Sequence, residues 1–60
     1  MDRKLTIEKA AAEFIEEYGE DAVEVLRQRA KAAAELADEI AAETWRKAAD
    51  AAERQLHAGG

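Results

Sequence analysis

The sequence contains no cysteine, no proline and no serine. Without cysteine there is no disulfide and no thiolate metal site to staple a short chain. Without proline the strongest helix breaker is missing, and glycine occurs only at Gly19, Gly59 and Gly60, so nothing punctuates the chain between residues 20 and 58. Aromatic residues are scarce as well: Phe14, Tyr18 and Trp45 are one of each kind. Sixty residues form at most one small domain, and such a domain buries a poor fraction of the surface its unfolded chain exposes. With disulfides and thiolate metals removed, oligomerisation or a partner remains as the source of extra stability.

Two further absences exclude classes of function. No stretch approaches the roughly 20 apolar residues of a membrane span, and the N-terminus lacks the apolar segment of a signal peptide. A cytoplasmic protein that does not engage membranes is expected. Fourteen acidic against nine basic residues give a net charge of -5, with no Lys/Arg patch able to track a phosphate backbone, so direct nucleic-acid binding is not expected.

Hydrophobic residues make up 48% of the chain, but sixteen of them are alanine. Beyond Met1, large apolar side chains are confined to Leu5, Ile7, Phe14, Ile15, Tyr18, Val23, Val25, Leu26, Leu36, Ile40, Trp45 and Leu56. Alanine is the best helix former and lets helices approach closely, but it adds little burial energy. The composition predicts an all-α protein with a thin core.

The pattern predicts one helical domain over residues 1–60. Met1 to Leu5 read as a frayed lead-in and Thr6 as an N-cap for a helix over about 7–18. In that helix Ile7, Ala11, Phe14, Ile15 and Tyr18 recur at three and four residues, with Phe14, Ile15 and Tyr18 as its core contribution. Gly19 supplies a left-handed stop, residues 19–20 form the turn, and Asp21 with Glu24 has capping-box spacing. Helical periodicity then runs over about 21–56. Val23, Leu26, Ala30, Ala33, Ala37, Ile40 and Thr44 form a seam of mostly small knobs, after which the apolar phase moves to Trp45, Ala49, Ala52 and Leu56. Uninterrupted, this helix would be about 54 Å long, a helical hairpin completed by oligomerisation into a coiled-coil-like bundle. A break near 37–39, with Asp38 as N-cap, would give instead a monomeric three-helix bundle.

Nothing in the sequence assembles a catalytic or metal centre. His57, the lone histidine, sits near a helix C-terminus, where a cation is favoured, with Glu53 four residues before it; a metal site would need further donors from elsewhere. The only side-chain alcohols besides Tyr18 are Thr6 and Thr44, neither with a base at a suggestive spacing. Pairs such as Glu16 with Glu17 or Asp38 with Glu39 would need an apolar cleft to act as acid and base. No enzymatic activity and no cofactor are expected. Trp45, the bulkiest apolar group, is expected to anchor the core against the first helix or to serve as an interface hot spot. Arg27, Arg29 and Lys31 form the one basic cluster, opposite in sign to the acidic run from Glu13 to Glu24. The pairs Lys31–Glu35, Glu43–Lys47 and Asp50–Arg54 have stabilising i,i+4 spacing, while Glu35, Glu39 and Glu43 repel one another.

The pieces FIEEYGEDAV, RQRAKAAA and WRKAADAAERQL, covering most of residues 14–56, resemble a set of small uncharacterised helical proteins common in proteobacteria. These share a glycine-delimited first helix and a last helix containing tryptophan followed by a basic residue. Such proteins often carry a Gly-Asp turn before the tryptophan helix, where this chain has ELADEIAAETW. The resemblance implies an all-helical fold and no particular activity.

The sequence thus points to a non-catalytic helical interaction or self-assembly module, a homo-oligomer using Val23, Leu26, Ala30, Ala33, Ala37, Ile40 and Trp45 as its interface. The alternative is a small acidic regulator, inhibitor- or antitoxin-like, that binds a different protein.

Overall fold

The computed structural model describes residues 3–58, with side chains from residue 6 onward. The chain is all-helical, without a strand among the described residues. Helix α1 spans Arg3–Tyr18, a single 3-10 turn covers Gly19–Asp21, α2 spans Ala22–Glu35 and α3 spans Glu39–Ala58. The expected lead-in is already helical from Arg3, so Thr6 lies inside α1 rather than capping it. Met1 and Asp2, at the start of the expected lead-in, lie outside the described residues, as do Gly59 and Gly60.

Gly19 adopts φ 63, the left-handed conformation that a glycine reaches without Cβ strain, and α1 stops there. The capping box expected at Asp21 does not form. Asp21 has φ -77 and ψ -8, and its side chain makes no cap hydrogen bond. An N-cap needs extended backbone to turn its side chain back onto the helix, and the preceding 3-10 turn holds Asp21 in a helical conformation.

The long helix expected over 21–56 is divided at Leu36–Asp38. The amide of Asp38 donates to the Ala33 carbonyl at 2.9 Å and that of Ala37 to the Ala34 carbonyl at 3.0 Å. This is the Schellman pairing that satisfies the last carbonyls of a helix. It requires a left-handed residue, and Ala37 takes that place at φ 61. Asp38 then caps α3, its Oδ1 accepting from the Ala41 amide at 3.1 Å. Two helix ends are thereby satisfied within three residues. An L-residue in the left-handed region costs about 1–2 kcal/mol, so Ala37→Gly is expected to raise stability by about 0.5–1 kcal/mol. Thermal unfolding of the two proteins checks this; an unchanged or lowered midpoint would contradict it.

Helices α2 and α3 run antiparallel, as shown by the Arg27–Glu53 contact and by clefts that pair Val23 with Leu56 and Ala30 with Ala49. Helix α1 packs on α3, with Phe14 against Trp45 and Glu8 beside Arg54. The core is built almost wholly of alanine: Ala11, Ala48, Ala49, Ala51 and Ala52 surround Leu26, with Ile7, Phe14, Ile15, Val23 and Trp45 packed at its edge. Small side chains allow this close approach of helices. The longest dimension is 35 Å, well short of an unbroken helix over 21–56.

Candidate interaction surface

The expected interface seam is split by the α2–α3 corner. Leu26, Ala30 and Ala33 are buried inside the chain, and Val23 is half-buried at the same contact. Ala37 and Ile40, which continue the seam, lie in solvent, and Thr44 is exposed with its hydroxyl donating to the Ile40 carbonyl at 3.0 Å. The cause is the corner itself: reversing the chain at Ala37 folds the first half of the stripe onto α3 and turns the second half outward.

Trp45 is half-buried on α3 and ties the three helices together. Its ring meets Phe14 of α1 edge-on at 5.9 Å, and the Arg29 guanidinium of α2 sits 5.9 Å from its centroid. Edge-to-face rings and a cation over an indole face are both favourable geometries. Phe14 in turn stacks on Tyr18 at 5.7 Å. Of the residues expected in the core, Phe14 and Ile15 are half-buried against it, whereas Tyr18 is 41% exposed. Tyr18 is the last residue of α1, so its ring reaches past the packed surface.

The basic cluster finds partners other than the acidic run. Arg27 reaches Glu53 of α3 at 3.3 Å, and Arg29 lies on Trp45. Of the expected i,i+4 pairs, Glu43–Lys47 forms at 3.8 Å, while Arg54 turns to Glu8 at 2.8 Å. Gln55 adds two bonds from its Nε2, to the Glu8 carbonyl at 3.0 Å and to Glu8 Oε1 at 3.2 Å. These ties join residues 46 and 47 positions apart, and no local pattern marks them.

The feature that stands out is the corner. Leu36 is 81% exposed and Ile40 82% exposed, one on each side of the left-handed Ala37. Both are large apolar side chains in a chain that has few. Around them Glu35, Asp38, Glu39 and Glu43 are all exposed, giving an apolar knob in an acidic collar. Elsewhere α2 and α3 form an open cleft of about 350 Å³, lined by Arg27, Lys31 and Arg46 over Ala30 and Ala49, with Asp50 at its edge. Among the described residues no three His, Cys, Asp or Glu side chains gather where a metal ion could be held, and no helix is long and apolar enough to cross a membrane. His57 occupies the last turn of α3 and lines a shallow cleft with Glu20, Val23, Glu53 and Leu56.

A scan against protein-family models, a search of curated proteins and a search of solved structures each return no match.

Proposed function

We propose that this chain is a non-catalytic helical interaction module that self-associates through the corner between α2 and α3. The observation that carries the reading is the exposure of Leu36 and Ile40 together. Each costs about 2 kcal/mol of forgone burial, in a chain of a size that has little stability to spare. A second copy brings an identical patch, and a two-fold contact sets the four side chains against one another. Such a contact is weak, because four side chains supply about 8 kcal/mol before the loss of rotational and translational freedom.

The acidic collar gives the reading a sign. Glu35, Asp38, Glu39 and Glu43 of two copies repel when the corners meet, so association strengthens as salt screens them. A second reading rests on that same collar: an acidic regulator whose apolar knob enters a pocket rimmed by Lys and Arg on a different protein. Docking of that kind weakens as salt rises. The test is a dilution series followed by amide NMR shifts. Concentrating the protein is expected to move the amides of residues 35–43 selectively, more so at high salt, and Leu36→Ser with Ile40→Ser is expected to abolish the movement. Shifts independent of concentration would overturn self-association and leave the acidic regulator.

A further inference from the structure

We propose that the α2–α3 corner is a hinge, and that a second copy of this chain engages it by domain swapping: α2 and α3 straighten into one helix, and each copy's α3 packs on the partner's α2. The inference rests on the self-association reading and specifies its geometry.

Two observations support it. First, the hinge is three residues long and is held by an alanine at φ 61. Alanine disfavours that conformation and favours helix, and a short linker under strain is what invites exchange of elements between copies. Neither glycine nor proline stands anywhere between residues 20 and 58 to forbid a continuous helix. Second, the two exposed side chains fall well short of the roughly 1,200 Å² that a specific interface buries. Swapping supplies that area without new surface chemistry, since the contact between α2 and α3 that buries Leu26, Ala30 and Ala33 is rebuilt between copies. Leu36 and Ile40 then lie at mid-helix, where the two straightened helices cross.

Straightening releases the left-handed strain at Ala37 and removes the need for the Asp38 cap. It is opposed by the entropy of association, which makes concentration the switch between the two forms.

The test uses the absence of native cysteine. Glu20 and His57 are both exposed and line one cleft in the closed chain, so dyes on Glu20→Cys and His57→Cys report a short intrachain distance. In a straightened chain they stand roughly 50 Å apart. The doubly labelled protein is unfolded, mixed with excess unlabelled chain and refolded dilute or concentrated. The expected result is a dimer fraction, seen only after concentrated refolding, in which energy transfer within the labelled chain is lost. Asp38→Ala should enlarge that fraction severalfold and Ala37→Gly should shrink it. A dimer that retains full transfer would overturn the swap while leaving association through the surface patch standing. A single-chain mass at every concentration, in the native sequence and in Asp38→Ala alike, would overturn both.

Discussion

Leu26→Ala is expected to destabilise the folded chain by about 3 kcal/mol. Leu26 is the one large side chain with no solvent exposure among the described residues, and the groups around it are mostly alanines that offer little bulk to collapse into the cavity. A 60-residue domain without disulfides rarely holds more than about 3–5 kcal/mol in total. The variant should therefore be largely unfolded near physiological temperature, with its helical circular dichroism signal collapsed. Urea titration gives the number directly. A loss below about 0.5 kcal/mol, the range of ordinary surface substitutions, would show that Leu26 does not sit at the centre of the core.

The second large effect has the opposite chemistry. Ala52 is fully buried where α3 meets the core cluster, and Ala52→Leu adds volume where the helices are already in close approach. Overpacking of this kind costs about 1–3 kcal/mol, and the upper end is expected because alanine neighbours have no rotamers with which to yield. Ala32→Leu is the control, since Ala32 lies exposed on α2 and its replacement should change stability by no more than about 0.5 kcal/mol. Thermal unfolding of the pair distinguishes core alanines from surface ones. Equal midpoints would contradict the close helix packing. The net stability of the chain therefore depends less on how much apolar surface it carries than on which alanines are kept small.

Those two positions also show what could be read from the sequence. The all-helical class and the stop at Gly19 were legible, because alanine richness and an isolated glycine act locally. Asp38 as a cap was legible only within the alternative to an unbroken helix, and its bond to the Ala41 amide is present. What the residues concealed is the left-handed conformation of Ala37, since the best helix former in the chain occupies a place that glycine would ordinarily fill. Packing of α2 on α3 overrides that local preference. The exposure of Leu36 and Ile40 depends on the same corner, so the apolar stripe by itself could not show that half of it turns inward and half outward. Asp21 misled for a complementary reason: its spacing to Glu24 is that of a capping box, but the 3-10 turn before α2 denies it the extended backbone a cap requires.

The bonds from Arg54 and Gln55 to Glu8 had no sequence signature because helix-surface pairing rules reach only three or four residues. They tie the C-terminal end of α3 to α1, where Ile7 packs at the edge of the core beside the buried Ala11. Trp45 lies between these cases. Its bulk marked it as an anchor, while its particular neighbours, Phe14 and Arg29, followed only from the fold.

The corner carrying Leu36 and Ile40 is proposed to bring two copies of this chain together. Light scattering of the native sequence, refolded and equilibrated at each concentration of a series, is the direct test. The expected weight-average mass rises from one chain toward two as concentration increases, with a steeper rise at high salt. A mass fixed at one chain across the whole series, with the helical signal intact, would contradict it.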